Sequence, residues 1–157
     1  MLQPQKKFME AAIEQALLAR QKGDYSIGAV VVKDGEIVGR GMNRAKIDQD
    51  PIQHAEIVAI REAAKNLNSR FIEGCVLYTT HEPCPMCASA AVWAKMKGIV
   101  YGAKMEDMAE FCAKNANKEW TWRTIKISTQ EVLAKSEPTL ELEKEFMRDA
   151  CLKLFHN

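Results

Sequence analysis

The segment from Val76 to Gly102 constrains the fold more than any other part of the chain. Val76-Leu77-Tyr78-Thr79-Thr80 reads as a buried strand, Cys84 to Met96 as a helix, and Ile99-Val100-Tyr101-Gly102 as the next strand. Two strands joined through a helix over so short a connection run parallel, with a right-handed crossover. The class is therefore α/β, with ligands expected near the carboxyl ends of the strands.

The flanking segments extend this reading. Phe8, Ala12, Ala16 and Ala19 recur at three- and four-residue steps, which predicts an amphipathic helix over about Gln5–Gln21 that ends at Gly23. Ile27–Lys33 and Glu36–Met42 are strand-like runs joined by Asp34-Gly35, a two-residue hairpin signal. A polar loop from Asn43 to Gln53 leads into a helical run, His54 to Leu67, with Ile57, Ile60 and Ala64 at core spacing. Trp122 to Ser128 reads as a last strand, and Pro138 to Phe155 as a closing helix with Leu140, Phe146, Ala150 and Leu154 inward. Lys104 to Thr121 fits neither pattern. The expectation is one mixed central sheet of about five strands with helices on both faces, in a single domain over residues 1–157. No linker, repeat or low-complexity tract argues for a boundary.

Composition narrows the compartment and the partners. A chain of 157 residues buries enough surface to hold a core without disulfides. The longest apolar runs, Ile27 to Val32 and Ala88 to Ala94, are too short to span a bilayer, and Met1 to Glu10 has no signal-like apolar stretch. A soluble, cytoplasmic chain is expected. There an odd count of five cysteines points to thiols or metal ligands. The net charge of +1 gives no long-range attraction for nucleic acid or anionic membrane.

The chemistry concentrates in His54-Ala55-Glu56 and Pro83-Cys84-Pro85-Met86-Cys87. Two cysteines three apart at a helix start place both sulfurs on one face, where free backbone N–H groups favour thiolates. His54, Cys84 and Cys87 suffice for a catalytic zinc, which takes three protein ligands and keeps one open position. Glu56, on the same helical turn as His54, is placed to carry protons without being a ligand. An H-x-E followed by P-C-x-x-C is the signature of zinc nucleobase deaminases.

At these residues the chain resembles the cytidine deaminase-like superfamily, and within it the branch of tRNA-specific adenosine deaminases, guanine deaminases and fungal-type cytosine deaminases. The resemblance runs from about Phe8 to Tyr101 and includes Ile27-Gly28-Ala29-Val30, Gly41-Met42-Asn43, Asp50-Pro51-Ile52-Gln53-His54-Ala55-Glu56 and Leu77-Tyr78-Thr79-Thr80-His81-Glu82-Pro83-Cys84. It implies the three-layer fold of that superfamily and one zinc per subunit on His54, Cys84 and Cys87. It also implies proton shuttling by Glu56, base contacts from Asn43 and the Ala55 backbone N–H, and a homodimer paired through the crossover helices. The implied reaction is hydrolytic deamination, in which water replaces an amine on the ring and ammonia leaves.

The substrate divides the family. tRNA adenosine deaminases usually carry a Gly-Ser loop after the strand ending here at Gly102, whereas Lys104 to Lys118 contains no glycine. They commonly have a basic carboxyl-terminal region, whereas Glu137 to Asn157 carries five acidic and three basic residues. Guanine deaminases look closer over Glu82 to Cys87 and Val92-Trp93-Ala94, although their acidic pair beyond this strand is replaced by Phe111-Cys112-Ala113. Asp107 or Glu110 is a candidate substitute, against the plainer reading of a solvated face. A free nucleobase or nucleoside is favoured, with a purine such as guanine slightly ahead. tRNA-specific adenosine deamination is the alternative, followed by cytosine or cytidine deamination and by a catalytically silent binding subunit.

Other residues carry weaker signals. His81 ends a strand aimed at the pocket and is a candidate substrate contact, an ordinary polar neighbour, or a fourth ligand that would make the zinc structural. The superfamily often covers its site with a carboxyl-terminal aromatic residue, making Phe155 and His156 lid candidates against a core residue and a chain end. Cys75, Cys112 and Cys151 read as inert thiols. Trp93 lies about 240° around the helix from Cys87 and suits a subunit contact. Trp120 and Trp122, beside Lys118 and Arg123, suit packing more than base stacking.

Overall fold

A computed structural model of the chain describes residues 1–115 and 123–155. Helix α1 (Lys6–Gln21) buries Phe8, Met9, Ala12, Ala16 and Ala19, as the periodicity predicts. Strands β1 (Gly28–Lys33) and β2 (Glu36–Met42) form the antiparallel hairpin. Its turn residues, Asp34 and Gly35, have φ of 49° and 77°, the positive pair that a two-residue primed turn requires. Helix α2 (Ala55–Asn66) follows, and β3 (Val76–His81), α3 (Pro85–Trp93) and β4 (Gly98–Ala103) make the parallel crossover. With β5 (Glu141–Glu143) the sheet order is β2-β1-β3-β4-β5, in which β1 pairs antiparallel with β2 and β3 while β3, β4 and β5 run parallel.

Strand alternation splits the interior into two layers. Ala29, Val31, Leu77 and Ile99 pack with Ala59 and Ala63 of α2 and Ala91 of α3. Leu133 of α5 (Thr129–Ala134) joins the same layer. Val30, Val32, Tyr78 and Val100 point the other way, onto α1, Met108 of α4 (Met105–Asn115) and Cys151 of α6 (Arg148–Leu152). Phe155, in a closing 3-10 turn over Lys153–Phe155, completes that layer. This is the expected mixed sheet of five strands with helices on both faces.

Glycines let α1 and α2 settle unusually close. A Cβ on Gly28 of β1 would strike the Ala12 carbonyl and the Ala16 nitrogen of α1. One on Gly41 of β2 would strike the Ala55 carbonyl and the Ala59 nitrogen of α2, and Gly39 meets Ala59 and Ala63 in the same way. The buried stripe of α2 is consequently Ala55, Ala59, Ile60 and Ala63, and Ile57 and Ala64 are only half-buried. Of the three positions expected to face inward Ile60 is buried, and the glycines of β2 draw the small side chains of Ala55, Ala59 and Ala63 against the sheet in place of Ile57 and Ala64.

The carboxyl-terminal third departs from expectation. Arg123 to Ser128 forms no strand, with Ile125 and Ile127 exposed, and Trp122 lies outside the described residues together with Trp120 and Lys118. The fifth strand is Glu141–Glu143, whose parallel pairing with β4 is extended by Glu141 N–H donating to Lys97 O. The single helix expected over Pro138–Phe155 is this strand plus the short α6 and the 3-10 turn. Glu145 and Met147 adopt left-handed φ of 60° and 55°, which no continuous helix permits. Leu140 and Leu154 are nonetheless buried, and Phe146 packs on the core. Helix α4 resolves most of the ambiguous stretch after Lys104. Among the described residues, no helix is long and apolar enough to cross a membrane.

Candidate metal centre and active site

Two helix starts meet at the carboxyl end of β3. His54 is the N-cap of α2 and Cys84 the N-cap of α3, and neither side chain makes a capping hydrogen bond. They turn toward each other instead. His54 Nδ1 lies 3.6 Å from Cys84 Sγ and 3.5 Å from Cys87 Sγ, and the three donor atoms all fall within 4.8 Å of one another. Tetrahedral zinc, with bonds near 2.3 Å to sulfur and 2.0–2.1 Å to nitrogen, needs a nitrogen-to-sulfur edge of about 3.6 Å. One imidazole and two thiols at that spacing fit zinc. Among the described residues no fourth His, Cys, Asp or Glu joins the group, and His81 lies outside it.

The electrostatics of these side chains are strongly coupled. The Cys84 thiol is drawn down to about 4, first by the hydrogen bond with Cys87, against burial and with help from His54. Cys87 is pushed well up by that same bond and by burial, and His54 is raised chiefly by its bond to Cys84. Glu56 is buried beside Cys87, and burial pushes its carboxyl up to about 7, with His54 opposing. Ala55 begins α2, where backbone N–H groups lack acceptors within the helix.

Asn43 is buried, and its side-chain amide donates to Asp24 Oδ1 at 2.7 Å. Asp24 itself is a buried node that also accepts from the backbone N–H groups of Tyr25, Lys46 and Ile47. An amide whose nitrogen is held this way keeps its carbonyl oxygen turned elsewhere. Sequence reasoning missed Asp24, because a lone acid after Gly23 looks like loop surface. It also missed Glu82, a buried carboxylate bonded to Met105 N–H at 3.0 Å and Thr129 N–H at 3.1 Å.

The remaining candidates are placed as follows. His81 is buried, and burial lowers its imidazole to about 4. Its Nδ1 lies 2.8 Å from the Glu82 carbonyl, which only accepts, so the neutral ring carries its proton there. Phe155 is 3% exposed, with its ring 6.1 Å from that of His81 and 6.0 Å from that of Phe111. His156 lies outside the described residues. Asp107 accepts from Nη2 and Nε of Arg148, at 2.6 and 2.9 Å, and from Lys104 N–H, and exposed Glu110 pairs with Lys114. Both acids are engaged in other contacts than a base. Cys75 and Cys151 are buried thiols and Cys112 is half-buried.

A family profile described as cytidine and deoxycytidylate deaminase zinc-binding region matches residues 2–103. The chain belongs to that family of zinc-binding deaminases. It is 41% identical over 96 residues to a tRNA-specific adenosine deaminase of Aquifex aeolicus, covering 61% of this chain and 64% of that protein, less than two thirds of its length. It is 44% identical over 104 residues to the guanine deaminase of Bacillus subtilis, covering 62% of this chain and 67% of that protein. A tRNA-specific adenosine deaminase of Buchnera aphidicola matches nearly end to end, 38% identical over 97% of this chain and 95% of its own. Among solved structures, a chain from studies of A-to-I editing by tRNA:A34 deaminases superposes with TM-score 0.76 at 28% identity, over 96% of this chain and 99% of that one. The structure of the Bacillus subtilis guanine deaminase gives TM-score 0.66 at 35% identity, over 84% of this chain and 90% of that one.

Proposed function

We propose that the chain is one zinc-dependent deaminase domain over residues 1–157, acting on a free nucleobase or nucleoside, with a purine such as guanine favoured. The observation that carries this choice is that Phe155, in the closing turn, packs against His81, three residues before Cys84, and against Phe111. A carboxyl-terminal turn fastened onto the strand that leads to Cys84 suits one small base better than an RNA loop. His81 neighbours Cys84 and His54 closely enough to feel both, and as a neutral ring it is suited to an uncharged base.

The residues divide the work. When bound at His54, Cys84 and Cys87, zinc supplies the Lewis acidity that activates water. Glu56, its carboxyl held near neutrality by burial, takes a proton and returns it to the ring nitrogen next to the carbon that loses its amine. Asn43, oriented by Asp24, and the Ala55 N–H hold the base in plane. Trp93, 80% exposed on α3 above a groove with Phe71, Val92 and Pro138, is read as the contact of a homodimer. Five cysteines, none of them in a disulfide, accord with a cytoplasmic location.

tRNA adenosine deamination is the second reading, favoured by the end-to-end match to the Buchnera enzyme. Ammonia release from guanine, adenine, cytosine, their nucleosides and an adenosine-containing anticodon stem-loop separates the two. Turnover of a free base or nucleoside is expected, and turnover of the RNA alone would overturn the choice. Glu56→Ala should keep one zinc per chain and lose turnover by about 10²–10⁴-fold.

A further inference from the structure

Glu82 sits where the shared part of the fold meets the part outside the family match. It follows β3, precedes the ligand Cys84 by two residues, and is 5% exposed. Its backbone is pinned, with N–H donating to Ala103 O at 2.7 Å and its carbonyl facing His81 Nδ1. One carboxylate oxygen accepts from Met105 N–H, the first residue of α4, and the other from Thr129 N–H, the first residue of α5. Thr129, fully buried, returns a bond from its hydroxyl to Pro83 O at 2.8 Å. The family match ends at residue 103, so both helix starts lie beyond it.

A buried carboxylate is retained only when its oxygens are bonded, and here both partners belong to elements distant in sequence. The Glu82-Pro83 turn that delivers Cys84 is thereby fastened at three bonds to the two ends of the stretch from Met105 to Thr129. Movement of Cys84 loads those bonds directly.

We propose that Glu82 is a positioning residue coupling the seating of Cys84 to the starts of α4 and α5, so that zinc occupancy and the order of Met105 and Thr129 reinforce each other. This rests on Cys84 being a zinc ligand. By linkage, whatever the ion does for the two helix starts, the starts do for the ion.

The test is amide hydrogen exchange on the full chain, with and without one equivalent of zinc. In the wild type, zinc should slow exchange of the Met105 and Thr129 amides by at least about tenfold. Glu82→Gln, whose amide presents a donor where one backbone N–H needs an acceptor, should still bind one zinc but cut that slowing to less than about twofold. A purely packing role would alter stability without removing the response to zinc. Thr129→Val removes only the Pro83 bond and should weaken the response at Thr129; it decides the matter if Glu82→Gln does not fold. Zinc bound with no change at either amide, or a full response in Glu82→Gln or Thr129→Val, would overturn the coupling alone. Failure of the wild type to bind zinc would overturn the ligand assignment and the coupling together.

Discussion

At the scale of single residues, two buried acids and one buried imidazole organise what surrounds the metal ligands. His81 is the clearest to test, because burial lowers its pKa to about 4 from the ordinary 6.5 of a histidine. The folded chain resists protonating it, whereas the unfolded chain accepts the proton once the pH drops below about 6.5. Its contribution is fully present above that value and is lost as the pH falls through about 4, an effect on the order of 3 kcal/mol. The denaturant midpoint of the wild type should therefore fall more between pH 7 and pH 4 than that of His81→Phe. Parallel pH curves would remove His81 as the source. The acids Asp24 and Glu82 were invisible to sequence reasoning for a related reason. Each is a single charge in a loop, and only the fold brings backbone N–H groups around it.

At the scale of elements, the site depends on how closely α2 lies on β2. Gly41→Ala would drive a methyl group into the backbone of Ala55 and Ala59 and push the first turn of α2 outward. Because His54 caps that turn, the expected result is lost stability of about 1–3 kcal/mol together with weaker zinc retention in a chelator competition. Retention equal to wild type would show that the cap moves independently of the helix. Legibility in the sequence followed local signals. The Asp34-Gly35 turn, the alanine stripe of α1 and the crossover helix are encoded within a few residues of themselves, and the structure keeps them. β5 and α6 are not: Glu145 and Met147 take left-handed angles without glycine, and Glu141-Leu142-Glu143 becomes a strand only because the edge of β4 is there to receive it. The ligands were legible because their spacing is itself the chemistry, but the burial of Phe155 against His81 and Phe111 required the carboxyl-terminal turn to fold back onto the core.

At the scale of the whole molecule, the distribution of apolar surface matters most. The largest exposed aromatic side chain among the described residues is Trp93, at 80%, next to a Phe71 ring flanked by Arg70 and Lys95 at 4.4 and 4.1 Å. With Phe71, Val92 and Pro138 lining the same groove, the exposed indole forms an apolar patch of the kind that marks contact surfaces. Sedimentation at micromolar concentration should give a dimer for the wild type and a monomer for Trp93→Glu. A dimer that survives the substitution would place the contact elsewhere.

The two helix starts that supply His54 and Cys84 have a consequence for how such a chain can change. An N-cap of Ser, Thr, Asp or Asn is worth about 1 kcal/mol, and neither α2 nor α3 has one. In a zinc-free medium a chain selected for durability alone would replace both residues and gain two firmer helices, whereas bound zinc stabilises the folded state and opposes that change. Laboratory variation screened for heat resistance without zinc should drift in that direction, and activity must be screened alongside it for the protein to remain an enzyme.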